Sequence, residues 1–158
     1  MNPPAEQALL ARIEAPRAAP APLGERLAAT PRLACEALAR AIDGGDLEAA
    51  LRCFSPGAAL LGPEGSLAQG EGALRRRIGE LIARRARVAI ELYGVIVAAD
   101  LALAHERWRI ECEGRPDPTA ANAPGPTLVL RLVEGEWRVA IAAPWGVPAA
   151  GPLRAVWP

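Results

Sequence analysis

Residues 101–113 read Leu-Ala-Leu-Ala-His-Glu-Arg-Trp-Arg-Ile-Glu-Cys-Glu, and this alternation constrains the fold more tightly than any other stretch. A period of two is the mark of a strand with two different faces. One face carries Ala102, Ala104, Glu106, Trp108, Ile110 and Cys112. The other carries Leu101, Leu103, His105, Arg107, Arg109, Glu111 and Glu113. Residues 87–93 alternate in the same way, with Val88, Ile90 and Leu92 opposite Arg87, Glu91 and Tyr93. Gly94 marks a candidate bulge, and a tight turn at residues 98–100 leads into the next strand. Residues 114–126 are too rich in Pro, Gly and Ala to be a strand. Residues 127–133 and 137–142 form a predicted hairpin around Glu134-Gly135-Glu136, ended by Pro144 and Gly146. Short turns between successive strands imply antiparallel neighbours, hence a meander.

The chain before this meander reads as helices and turns. Residues 1–27 are rich in Ala and Pro and are expected to be an arm, with residues 148–158 as a C-terminal tail and residues 28–147 as the domain. Thr30-Pro31 is an N-cap followed by proline at the first helical position. Leu33, Ala34, Ala37, Leu38, Ala41 and Ile42 then form an apolar stripe that ends at Gly44-Gly45. Asp46 caps a second predicted helix that buries Leu47, Ala50, Leu51 and Phe54 and is closed by Ser55-Pro56-Gly57. Two short strands, residues 58–61 and 66–69, flank a turn. A third helix spans about residues 71–85, with Leu74, Ile78, Leu81 and Ile82 inward and an arginine-rich face outward. Three helices against one curved, mostly antiparallel sheet make an α+β cone.

Charge and composition exclude several classes of function. The 158 residues carry 18 basic and 18 acidic groups, every base being Arg. A neutral chain is a poor candidate for nucleic-acid binding, and Glu80 stands four residues before Arg84 as a helix pair within the basic face. Cys35, Cys53 and Cys112 are odd in number and unpatterned, which predicts reduced thiols in a cytoplasmic protein. With one His and dispersed Cys, no metal site is expected, nor any cofactor. No apolar run approaches the ~20 residues of a membrane span, and the N-terminus lacks the layout of a signal peptide.

Five stretches together resemble the SnoaL-like and ketosteroid-isomerase-homologue branch of the nuclear-transport-factor-2-like superfamily. They are AIDGGDLEAALRCFSPG at 41–57, QGEGAL at 69–74, ADLALAHERW at 99–108, TLVLR at 127–131 and GEWRVAIAAPWG at 135–146. The resemblance covers roughly residues 30–146. It implies a cystatin-like cone, a pocket between sheet and helices for a small hydrophobic molecule, and usually a homodimer made through the sheet. Relatives include isomerases, cyclases, dehydratases and non-enzymatic assembly domains, so activity has to be argued from the site. Two departures speak against a ketosteroid-isomerase mechanism. Ala142-Ala143 stands where relatives of this branch often place an acidic residue, and the first helix has no Tyr.

Glu106 is the leading candidate for chemistry. A carboxyl group in an apolar row has its pKa raised, which suits a general acid or base. The other reading is a carboxylate at the pocket edge paired with an arginine such as Arg131. His105, the only imidazole, is the second catalytic candidate, although alternation sets it on the outer or dimer face. Trp108, Tyr93, Arg131 and Trp145 are candidate pocket residues. For Tyr93 and Arg131 the competing expectation is a surface pair facing a second copy, and for Trp145 a structural plug.

Overall fold

The computed structural model describes residues 29–63, 65–117 and 127–146. The predicted arm at residues 1–27 and tail at residues 148–158 lie outside the described residues. Helix α1 spans Pro31–Asp43 and α2 spans Leu47–Arg52. Strands β1 (Phe54–Leu61) and β2 (Leu67–Gln69) precede α3 (Glu71–Ala83). Five strands follow: β3 (Arg87–Ala98), β4 (Leu101–Cys112), β5 (Arg115–Pro116), β6 (Thr127–Val133) and β7 (Glu136–Ala143).

Local chemistry sets the helix ends. The Thr30 hydroxyl accepts from the Leu33 amide at 3.2 Å, and Pro31 occupies the first turn, where a missing N–H costs nothing. Gly45, at φ 71°, takes the left-handed conformation after α1. Asp46 then caps α2 by accepting from the Ala49 amide at 2.9 Å. Asp43, the last residue of α1, accepts from the Val88 amide at 2.6 Å and so ties the helix to the start of β3.

The sheet runs in the order β2-β1-β7-β6-β4-β3, with β5 paired to β4. All its pairs are antiparallel except β1 with β7, which is parallel. The helices cover one face, with α1 against β3 and β7 and α3 against β1 and β2. Leu38, Ile42, Leu60, Ile78, Leu128, Leu130 and Val139 are fully buried between the layers. The family of sheet-covering helices is therefore α+β, as the pattern predicts. Among the described residues no helix is long and apolar enough to cross a membrane.

Several expectations are corrected. Phe54 is buried, but it opens β1 instead of closing α2, and Ser55-Pro56-Gly57 lies inside that strand. The register of β1 against β7 shifts between Phe54 and Ala59, and Gly57 has φ 73°. Pro and Gly sit at an irregularity in the strand, where neither has to continue the ladder. Residues 115 and 116, expected in a loop, return along β4 after a turn in which Glu113 and Gly114 both have positive φ. Leu33 is exposed, not part of the buried stripe of α1. Helix α3 stops at Ala83, and its ion pairs are Arg75 with Glu71 and with Glu48, in place of Glu80 with Arg84.

Candidate functional site

Strand β4 alternates without interruption, exposed and buried, from Leu101 to Cys112. Its inner row faces the helices, and Glu106 lies there at 2% exposure. The Trp108 indole N–H, two residues along the same row, donates to Glu106 Oε1. The other oxygen, Oε2, is buried and has no hydrogen-bond partner. Burial pushes the Glu106 carboxyl up to about 7, against the smaller opposing effect of the Trp108 hydrogen bond. Cys35 on α1 lies within its electrostatic reach. Burial first, and the Glu106 charge second, raise that thiol to about 12. The inner row thus holds a carboxyl group poised between its two protonation states at neutral pH.

The remaining sequence candidates do not converge on it. His105 is on the opposite face of β4, exposed, with its ring 6.2 Å from that of Tyr93. Tyr93 is the extra residue of the bulge between Leu92 and Gly94, so the predicted bulge is present, and the phenol stays on the outer face that strand alternation gives it. Its hydroxyl donates to Glu91 at 3.1 Å, and the Arg107 guanidinium lies 5.8 Å from its ring centre. Tyr93 is therefore not a residue of the inner row. Nor is Arg131, which pairs with Leu101 on the outer face and is exposed. The carboxylate–arginine pair expected for Glu106 and Arg131 does not form, because the two occupy opposite sides of the sheet. Trp145 is buried and donates to Asp117 at 3.3 Å, which fastens the end of β7 to the segment after β5. Only Trp108 joins Glu106.

A large open space lies elsewhere. A cleft of about 540 Å³ opens between α1, α2 and the first residues of β7. Ala34, Ala37, Ala41 and Ala49 form its apolar wall, Trp137 lies against them, and Arg40, Arg52 and Arg138 ring it with Asp46 and Glu136. A second cavity of about 290 Å³ is lined by Ser55, Phe54 and Leu74 and shares Arg52 and Arg138 with the first. Glu106 lines neither. Sequence reasoning missed this cleft. The available signal was that half of the apolar stripe of α1 is alanine, which is too short to fill the gap a Leu would close. Among the described residues no group of three His, Cys, Asp or Glu side chains is placed to hold a metal ion.

Helices on one face of a mixed, mostly antiparallel sheet, with a side cleft and a buried carboxyl, define a small α+β protein of the cystatin-like type. A SnoaL-like domain model matches residues 35–140, and the chain belongs to that family. No curated protein matches it. Solved structures agree on the fold. A proposed calcium/calmodulin-dependent protein kinase type II association domain from Thiobacillus denitrificans is 20% identical, with a TM-score of 0.60, over 76% of this chain and 98% of that one. A proposed dehydratase of the NTF2-like family from Streptomyces avermitilis is 20% identical, with a TM-score of 0.57, over 71% and 89%. A ketosteroid isomerase-like protein from Erwinia carotovora atroseptica is 20% identical, with a TM-score of 0.57, over 76% and 95%. One fold carries all three descriptions, so the likeness fixes architecture and leaves activity to the site.

Proposed function

We propose that this protein binds a small, mainly apolar molecule in the cleft between α1, α2 and the head of β7. The observation that carries this reading is the cleft: about 540 Å³ walled by alanines and Trp137. Ligand sites commonly enclose roughly 300–1,000 Å³ with apolar walls and a few polar groups. The test is fluorescence of the neutral probe N-phenyl-1-naphthylamine, which brightens in apolar surroundings. Saturable binding is expected, lost in Ala37→Trp, which fills the cleft, and weakened in the milder Ala49→Leu. Binding undiminished in both variants, each with a native circular dichroism spectrum, would sink the reading.

A second reading, acid/base proton transfer at Glu106 in an isomerisation, cyclisation or dehydration, is favoured by one specific observation. A buried carboxyl oxygen without a partner, on a group whose pKa is about 7, costs stability, and a role in proton transfer accounts for its being kept. Because neither cavity reaches Glu106, the binding reading ranks first. NMR titration of Glu106 separates the two, since an ordinary low pKa removes the acid/base reading.

The partner we propose besides the ligand is a second copy of the chain. Leu67, Ile96, Leu101, Leu103 and Ile141 are large apolar side chains left exposed on strands of the sheet, and light scattering checks for the dimer. Three free thiols fit a reducing, cytoplasmic setting.

A further inference from the structure

The charges around the cleft are unevenly matched. Asp46 is engaged as the cap of α2, and Glu136 accepts from Arg138 Nη2 at 3.3 Å. Arg40 and Arg52 make no ion pair among the described residues, although both line the cleft. Arg138 Nε is buried and has no hydrogen-bond partner. A donor closed to water is closed to a ligand as well, so what Arg138 offers the cleft is the charge of its partly exposed side chain. Arg52 and Arg138 also stand between the two cavities, so they meet whatever enters from the alanine-walled side. Three guanidinium groups against two carboxylates leave one positive charge over. A monoanion cancels it, whereas a dianion would overshoot.

We propose that the molecule held in the cleft is an organic carboxylate, its apolar body along Ala34, Ala37, Ala41 and Trp137 and its carboxylate on Arg40, Arg52 and Arg138. Guanidinium forks suit this task because their parallel N–H groups match two carboxylate oxygens. This assignment rests on the cleft being the binding site, and the experiment separates the two.

The probe N-phenyl-1-naphthylamine is displaced at pH 7.5 by decanoate, by 1-decanol and by decyl phosphate, which share one alkyl body. Decanoate is expected to compete at least about tenfold better than 1-decanol, in line with hydrogen bonds to charged groups. Decyl phosphate should gain nothing over decanoate. In the double variant Arg40→Gln/Arg52→Gln the preference for decanoate over decanol should vanish while decanol competes as before. Equal potency of decanoate and decanol in the natural chain overturns the inference, as does a preference that survives the double variant. Stronger competition by decyl phosphate overturns the choice of carboxylate. In these cases the cleft still binds, whereas failure of the neutral probe to bind at all removes the cleft and the inference with it. Arg52→Lys, which keeps the charge without the fork, should retain part of the preference, and that distinguishes recognition from a loss of folding.

Discussion

The two faces of β4 are made from alternate residues of one twelve-residue strand, yet they are built on different physics. The inner row, Ala102, Ala104, Glu106, Trp108, Ile110 and Cys112, is buried throughout, and its one ionisable carboxyl is held by one indole. The outer row is exposed throughout, and its charges are solvated or paired across strands, as Arg109 is with Glu91. A carboxylate outside meets water and arginines, so its charge is cheap. A carboxyl inside meets neither, and its proton becomes part of the fold. The same residue type therefore has two chemistries set by the parity of its position.

The comparison is broken most forcefully by Trp108→Ala. Removing a buried Trp is expected to cost about 3–5 kcal/mol in denaturant unfolding, while Arg107→Ala, one residue away, stays within about 0.5 kcal/mol. Next is Glu106→Gln, which keeps an acceptor for Trp108 and removes the titration. The folded pKa of Glu106 lies near 7, above the usual 4.5, so the folded state holds the proton more tightly. The stability this supplies is complete below about pH 4.5 and is lost as pH rises through about 7. At pH 8 the variant should be more stable than the natural chain by about 3 kcal/mol, from 1.36 kcal/mol per pKa unit. The difference should shrink toward pH 5, and a pH-independent difference would count against a buried, titrating Glu106. Asp43→Ala tests where the helical layer is fastened to the sheet. Loss of the charge-assisted bond to the Val88 amide is expected to cost about 2 kcal/mol at neutral pH. The smallest effect on folding belongs to the outer row. Leu103→Arg, at a position 47% exposed, should shift the unfolding of the monomer by less than about 0.5 kcal/mol and should abolish the proposed dimer in light scattering.

Both faces of β4 were legible in the sequence because period two needs only local information. The caps at Thr30 and Asp46 were legible for the same reason, as was the β6–β7 hairpin, whose turn places Glu134 and Gly135 at positive φ. The start of β1 was not. Its partner is β7, far along the chain, and a parallel pairing leaves no turn between its members to announce it. Pro56 and Gly57 therefore read as punctuation when they occupy a distorted strand. Glu106 was found by its row, and Trp108 as its neighbour, but the electrostatic influence of Glu106 on Cys35 depends on where α1 crosses the sheet. The alanine-walled cleft was hidden because small residues announce packing and vacancy alike, and only the distance to the opposite wall separates the two.

The parallel seam between β1 and β7 has a consequence for how the molecule is made. Phe54 meets Val139, and Leu60 meets Ala142, so this seam of the sheet cannot close until β7 has left the ribosome. Until then β1 has only the three-residue β2 beside it, and its other edge stands open to any strand that passes. Pairings between residues so remote in sequence slow folding through the entropy of closing a long loop. The nascent chain must therefore guard an open seam from the synthesis of β1 to that of β7, and the irregularity at Ser55-Pro56-Gly57 makes that seam a poor template for the wrong partner.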